Sequence, residues 1–225
     1  MANKKPLTKR RKAEQELKAK QEKQKRLKII IIVSVVSFLA ICGIVAGIII
    51  ANYEPPPKAY LAEIVIKDKG TVTVQLDDTN APKTVGRFVK LANDGFYNGL
   101  PFYMLANDAL YSGDPDGTGN GGYKTTLIGE MDGNRGHVNK LSHKKGVISL
   151  DRREDDPDSG TSRFFILTKD HTELDGKYAS FGFVTSGLDI IEGLSQSVTT
   201  GEDGIIEGDS KPIIESITIK QIKLK

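Results

Sequence analysis

Side chains that commonly bind metals or form disulfides are scarce in this chain, which has three histidines and one cysteine among 225 residues. His137, His143 and His171 lie in a polar region without the spacing that places two ligands on one helix face. Cys42 has no partner for a disulfide or for a cysteine-based zinc site. We therefore expect no metal and no cofactor. The most informative chemistry lies instead in the aromatic and polar block at residues 156–182.

This block has the pattern of a strand, a loop and a second strand. Residues 163–167 are a short bulky run bounded by turn formers, which is typical of a half-buried strand. Residues 174–177 contain an Asp-Gly pair, which favours a turn because glycine tolerates positive φ. Residues 178–183 then alternate aromatic with small side chains, as a second strand does. Spacing alone is also compatible with a generic antiparallel pair.

The residue types in this block and their order are more specific than the spacing alone. S-R-F-F-I followed by L-D-G-K-Y-A-S-F-G resembles the cyclophilins, the barrel-shaped peptidyl-prolyl isomerases, which typically have S-Q-F-F-I and then L-D-G-K-H-x-x-F-G. The resemblance extends over residues 59–225, because T-V-T-V-Q-L, A-P-K-T-V-G-R-F-V-K-L-A-N-D-G-F-Y, G-D-P-D-G-T-G-N-G-G and H-K-K-G-V-I-S-L match further family blocks in order. It implies an isomerase that binds proline-containing segments of polypeptides.

The chain departs from the family where the catalytic strand begins. The family has Phe-His-Arg there, and its arginine is the main catalytic residue. This chain has Phe102-Tyr103-Met104, so Met104 stands in the arginine position. The segment at residues 106–112 is one residue shorter than in the family, and counting back from Gly113 places Tyr111 near the family's glutamine. No catalytic residue is therefore assigned.

The same resemblance implies the residues that would bind substrate. Phe165 and Leu174 match the family's proline pocket, whereas Arg163 replaces a glutamine and Tyr178 replaces a histidine. Glu173 stands where the family has an aromatic residue or histidine. The expected substrate-binding set is Met104, Tyr111, Arg163, Phe165, Leu174 and Tyr178.

Two functional hypotheses follow from these departures. The first is a peptidyl-prolyl isomerase that helps exported proteins fold, with activity weakened because the thioether of Met104 has no hydrogen-bond donor. The alternative is a non-catalytic, cyclophilin-like peptide-binding chaperone or scaffold at the membrane. Met104 is the feature that divides them.

Local patterns across residues 59–225 indicate the fold class. Two alternating runs around Asp68-Lys69-Gly70 predict a β-hairpin, and Asn80 followed by Pro82 predicts the capped start of a helix. A second short helix is expected at 188–194. Further strands are expected at 101–105, 146–150, 162–167, 179–185 and 213–222. Many short strands with two helices predict a mainly β protein, a closed antiparallel barrel of about eight strands capped by two helices.

Charge and proline content divide the chain into four parts. Residues 1–28 carry twelve Lys or Arg and three Glu, a net +9, and residues 29–51 carry no charge. Since the whole chain has +3, the remainder is mildly acidic. We expect a basic cytoplasmic tail at 1–28, a transmembrane helix at 29–51, a Pro-rich linker at 52–58 and the cyclophilin-like domain at 59–225.

The apolar run at 29–51 predicts one membrane span. As a helix it reaches about 34 Å, enough for a hydrocarbon core of about 30 Å. A buried soluble helix and a cleaved signal peptide are the alternatives, but the run is long for both, and Ile41 before Cys42 is too large for a lipoprotein signal. We expect an uncleaved signal anchor in the cell membrane, with the N-terminus cytoplasmic and the C-terminal domain extracytoplasmic.

The remaining features of the N-terminal part suggest partners. The basic tail is explained by membrane topology, so we expect no nucleic acid. Gly43 and Gly47 form a GxxxG pair, which predicts weak homodimer formation, and a structural membrane protein acting through that pair is a third hypothesis. Three prolines at 55–57 predict an extended spacer.

Overall fold

The computed structural model describes residues 9–51, 59–208 and 211–222. The chain separates into two compact units, Met1–Pro56 and Pro57–Lys225. The predicted linker at 52–58 and the first eight residues of the predicted tail lie outside the described residues.

The N-terminal unit contains one continuous helix, α1, at Lys9–Ala51. It joins the polar run and the apolar run without interruption, and its 43 residues reach about 65 Å. Within it, Glu16–Val45 contains a window with mean hydropathy 2.7, and that window is long and apolar enough to cross a membrane. The length and composition of this window match those of a transmembrane helix, and signal sequences share them.

Within the described residues, the C-terminal unit is an eight-stranded antiparallel sheet with two α-helices and two short 3-10 helices, at Asn134–Gly136 and Thr172–Leu174. The strands lie in the order β3-β4-β6-β5-β7-β2-β1-β8. The elements are β1 at Ala59–Ile66, β2 at Gly70–Asp77, α2 at Pro82–Asn93, β3 at Met104–Ala106, β4 at Ala109–Ser112, β5 at Val147–Leu150, β6 at Phe164–Leu167, β7 at Ala179–Ser186, α3 at Leu188–Ser197 and β8 at Ile214–Ile222.

The two edges of the sheet meet just before β3 and β8. Pro101 and Ile213 form an isolated antiparallel bridge, and the N–H of Phe102 donates to the carbonyl of Pro212 at 2.8 Å. The sheet therefore curls into a barrel that is completed by a short bridge rather than by a ladder. The prediction of a mainly β, eight-stranded antiparallel barrel with two helices is confirmed.

Aromatic rings fill the main core. Phe164 points inward from β6 and makes edge contacts with Phe88, Tyr97 and Phe102, with ring centroids 5.6, 5.7 and 6.5 Å apart. Phe88 comes from α2 and also lies 5.3 Å from Phe181 of β7. These contacts seal α2 against the sheet, because edge-to-face aromatic pairs add to the gain from burial.

The start of α2 differs from its prediction. Asn80 was expected to cap this helix, but the cap position is Ala81, and no side chain caps the helix from there. The carboxylate of Glu130 accepts the N–H groups of Lys83 and Thr84 at 2.9 and 2.7 Å and the Thr84 hydroxyl at 2.8 Å. A carboxylate at a helix N-terminus is favoured by the free N–H groups and by the helix dipole. A distant residue has therefore taken over the capping role.

The shortened segment at 106–112 forms a tight hairpin between β3 and β4. Its loop consists of Asn107 and Asp108, which have φ values of 50° and 56°. Two positive φ values are typical of a type I′ turn, which matches the twist of a two-residue hairpin. Strand β4 was not among the predicted strands.

Candidate active site

A second apolar cluster lies on the opposite face of the sheet from the main core. Alternation along β6 sends Phe164 inward and Phe165 outward. The buried members of the outer cluster are Ala109, Val147, Phe165 and Leu167. The half-buried residues around them are Tyr111, Leu141, Leu174, Tyr178 and Phe183.

Four of the six predicted substrate-binding residues meet in this cluster. The ring of Phe165 lies 5.2 Å from that of Tyr111 and 5.3 Å, edge-on, from that of Tyr178. Leu174 packs against the same group. Only 1% of Phe165 is exposed, so the two tyrosines cover it. A prolyl ring would reach Phe165 only after one of the side chains packed against it had moved aside.

Met104 lies on the same face as these residues. It pairs with Tyr111 across β3 and β4, and Tyr111 pairs with Phe165 across β4 and β6. Directly paired residues point to one side of a sheet, so the three side chains form a row. We call the surface made by Met104, Tyr111, Phe165, Leu174 and Tyr178 the groove face. Met104 is half-buried at the end of the row and brings no donor to it.

Arg163, the sixth predicted residue, is held at the margin of the groove face. Its Nε donates to Oδ2 of Asp151 at 2.8 Å, and each of the two side chains is 13% exposed. Its Nη1 donates to the carbonyls of Gly119 and Gly121. Burial raises the pKa of the Asp151 carboxyl, and the neighbouring guanidinium opposes that rise.

The glycine-rich loop that receives Arg163 is organised by a buried carboxylate. Asp114 accepts the peptide N–H groups of Asp116, Thr118, Gly119 and Gly121 at 2.9, 3.0, 2.6 and 3.2 Å. Burial opposes ionisation of Asp114, but these four bonds outweigh it and lower its pKa. A Cβ on Gly121 would lie 2.0 Å from Oδ1 of Asp114, so the close approach requires glycine there.

His143 lies behind Phe165, with its ring stacked on the phenylalanine at a centroid distance of 6.4 Å. Its Nδ1 is 2.7 Å from Oδ1 of Asp175, which also accepts the His143 peptide N–H at 2.7 Å. Only 1% of His143 is exposed, and its Nε2 has no hydrogen-bond partner among the described residues. Burial lowers the pKa of His143 and outweighs the opposing effect of Asp175.

The tyrosines near the groove face are protonated at neutral pH. Burial is the largest cause that raises the pKa of Tyr103, Tyr111 and Tyr178 above the ordinary value, and the Asp151 carboxylate adds to it in all three. Their hydroxyls are therefore neutral groups. The hydroxyl of Tyr103 is buried and makes no hydrogen bond within the described ranges.

Comparison with known proteins assigns this architecture to a family. The family model described as cyclophilin type peptidyl-prolyl cis-trans isomerase/CLD matches residues 61–224. This chain belongs to the cyclophilin family. Its enzyme class is accordingly peptidyl-prolyl cis-trans isomerase.

Two bacterial cyclophilins illustrate the sequence relation. Peptidyl-prolyl cis-trans isomerase B of Bacillus subtilis is 36% identical over 132 residues, which are 58% of this chain and 87% of that protein. A peptidyl-prolyl cis-trans isomerase of Helicobacter pylori is 38% identical over 132 residues, covering 57% and 77% of the two chains.

Solved structures support the cyclophilin fold. A cyclophilin from Cryptosporidium parvum superposes with a TM-score of 0.64 at 23% identity, covering 73% of this chain and 99% of that one. The structure of that protein in the presence of the dipeptide Ala-Pro gives 0.62 at 24% identity, covering 71% and 98%.

Sequence patterns did not identify several residues that shape the cyclophilin groove here. Asp151, His143 and Asp175 act through contacts with residues between 12 and 32 positions away. One available signal was the acidic residue directly after the apolar run V-I-S-L, because strand ends commonly place charges at a rim. The capping role of Glu130 had no comparable local signal.

The burial of His143 predicts a pH dependence of stability. Its pKa is lowered in the folded protein, so the unfolded chain takes up a proton as pH falls through about 6.5 while the folded protein does not. We expect stability to decrease below about pH 6.5, by at most about 1.4 kcal/mol per pH unit for this proton. His143→Gln should flatten that slope. Urea unfolding followed by near-ultraviolet circular dichroism between pH 5 and 7.5 measures it, and an unchanged slope in the variant would contradict the prediction.

Proposed function

We propose that this cyclophilin is a membrane-anchored isomerase that acts slowly on proline-containing segments of exported proteins. The observation that carries the proposal is the aromatic cluster around Phe165 beside a donor-free position at Met104. The cluster offers an apolar seat for a prolyl ring. The row from Phe165 through Tyr111 to Met104 would lie along the bound peptide.

The apolar cluster around Phe165 lowers the barrier to rotation about a bound X-Pro bond because it removes water from that bond. Rotation about a peptide bond crosses about 18–20 kcal/mol, and uncatalysed X-Pro isomerisation takes tens to hundreds of seconds. In the twisted state the C–N bond loses resonance, and the prolyl nitrogen becomes a better acceptor. A donor near that nitrogen and the adjacent carbonyl binds the twisted state selectively, which accelerates rotation.

Met104 limits this second contribution. A thioether accepts hydrogen bonds only weakly and cannot donate one. The position where cyclophilins have arginine therefore supplies no hydrogen-bond donor in this chain. By analogy with loss of an oxyanion donor, we expect isomerisation to be roughly 10²–10³-fold slower than with arginine at this position. Desolvation by the apolar seat remains.

The second candidate is a non-catalytic peptide-binding chaperone or scaffold. It is favoured by the covering of Phe165 by Tyr111 and Tyr178, together with the thioether at position 104. An isomerisation assay on the full chain in detergent separates the two candidates. A peptide with one Ala-Pro bond should bind weakly and isomerise measurably faster than without protein. Binding with no acceleration would favour the scaffold.

The proposed domain organisation is a cytoplasmic tail at 1–28, a transmembrane helix at 29–51, a linker at 52–58 and an extracytoplasmic domain at 59–225. The long apolar part of α1 supports the span, and the +9 charge before it supports the orientation. Gly43 and Gly47 have no neighbouring atom within 4 Å of an added Cβ, which leaves their surface open for a second copy of the helix. A weak homodimer through that surface belongs to the same proposal.

We expect protease added to intact cells or spheroplasts to remove the C-terminal domain and spare the tail. The reason is that twelve basic side chains ahead of an uncharged span resist transfer across the membrane. Antibodies against each end would report the outcome. N-terminal sequencing supplies the control, because a mature N-terminus beyond Ala51 would show cleavage and refute the anchor.

A further inference from the structure

Arg163 places a guanidinium next to Phe165 on one strand. It directly precedes β6, and the peptide N–H of Asp151 donates to its carbonyl at 2.9 Å, so the extended pairing continues through it. Alternate residues of an extended chain share a face, which puts Arg163 on the side of Phe165. At about 3.3 Å per residue their Cα atoms are roughly 7 Å apart. An extended arginine side chain is long enough to cover that distance.

The orientation of this guanidinium is fixed from two sides. Asp151 holds Nε, and the carbonyls of Gly119 and Gly121 hold Nη1. Asp114 in turn holds the loop that carries those carbonyls. A donor that is positioned in advance needs no reorganisation when the reacting bond twists, which is the condition for effective electrostatic catalysis.

Some N–H groups of the Arg163 guanidinium make no hydrogen bond with the described residues. A guanidinium has five N–H donors, and the bonds above engage only Nε and Nη1. The two N–H groups of Nη2 have no protein partner in the part of the chain that the structure describes. Arg163 also lines a cavity of about 460 Å³ with Gly119, Gly121 and Thr161. A largely buried cation that lines a cavity is suited to a ligand oxygen.

We propose that Arg163, positioned by Asp151, is the catalytic donor of this isomerase in place of the residue at 104. Its Nη2 donates to the carbonyl beside the prolyl nitrogen while the C–N bond rotates, and no covalent bond forms or breaks. Asp151 is a positioning residue, since it touches Arg163 and not the peptide. This inference rests on the proposed isomerase function and assigns the residual rate to a named side chain.

A purely structural role for the ion pair makes a different prediction. If Arg163 only fastened the glycine-rich loop, its removal would lower stability and peptide affinity together. A donor that acts only in the twisted state would instead lower kcat and leave peptide affinity nearly unchanged.

The test measures isomerisation of an Ala-Pro peptide by exchange NMR, with the full chain in detergent. Arg163→Gln should lower kcat/KM at least about tenfold, with peptide Kd within about twofold. Arg163→Lys keeps the charge without the planar fork and should lie between Gln and wild type. Asp151→Asn should lower kcat about threefold or more, and Met104→Arg should restore the rate of Arg163→Gln. Arg135→Gln, which breaks the exposed Arg135–Asp158 pair, is the matched control and should keep the wild-type rate.

The outcomes separate this inference from the proposed function. A folded Arg163→Gln protein at the wild-type rate overturns the donor role alone. Loss of peptide affinity in step with the rate also overturns it, in favour of loop fastening. A wild-type protein with no isomerisation overturns both proposals. If Arg163→Gln does not fold by circular dichroism, Asp151→Asn decides, because a wild-type kcat in that variant overturns the positioned donor.

Discussion

Met104→Arg should raise the isomerisation rate of this cyclophilin at least about tenfold. Met104 lies at the end of the row that continues through Tyr111 to Phe165, so a guanidinium there would face the peptide bond of a seated proline. The new donor is useful only when the C–N bond is twisted, and it therefore lowers the barrier more than it strengthens peptide binding. We expect kcat to account for most of the gain, with peptide affinity changed by less than about threefold.

Two variants control for packing at this site. Met104→Leu conserves volume without adding a donor, and it should keep the wild-type rate. Phe165→Ala should weaken peptide binding both in the wild-type protein and in the Met104→Arg variant, because it removes the floor of the apolar seat. A wild-type rate already in the ordinary enzyme range would contradict the premise that a donor is limiting. Absence of peptide binding by either protein would show that the tyrosine cover over Phe165 does not open.

Glu130→Ala should destabilise the cyclophilin domain by about 3 kcal/mol, since hydrogen bonds to a charged group contribute about 1.5–3 kcal/mol each and are not additive. Glu130 is 2% exposed and accepts three bonds from Lys83 and Thr84 at the start of α2. Alanine would leave those donors buried without a partner and would create a cavity. For a domain of this size, that change lowers Tm by roughly 6–12 °C.

Thermal unfolding of the full chain in detergent, followed by near-ultraviolet circular dichroism, measures this loss. Glu202→Ala removes a carboxylate from an exposed turn, and it should change stability by less than about 0.5 kcal/mol. Glu130→Gln retains one acceptor oxygen and should fall between alanine and wild type. A loss below about 1 kcal/mol in Glu130→Ala would show that water satisfies the N-terminus of α2.

Local sequence patterns determined much of the architecture. Period-two alternation in residues 61–67 and 71–76 predicted the hairpin of β1 and β2. The uncharged run at 29–51 predicted a helix, and α1 contains it. These features depend on side chains close in sequence, because backbone periodicity repeats over two to four residues. The family motifs then predicted the five residues that make up the groove face, and their role in binding substrate stays a prediction.

Tertiary structure alone decided how those residues are supported and covered. Glu130 caps α2 from more than forty positions away, in place of the adjacent Asn80. Asp151 reaches Arg163 beside the paired strands β5 and β6, and His143 reaches Asp175 because the loops before β5 and β7 come together in the folded sheet. The cover over Phe165 arises because β4 brings Tyr111 alongside β6 while the chain entering β7 brings Tyr178. Such contacts depend on strand register and loop path, which no short stretch of sequence specifies.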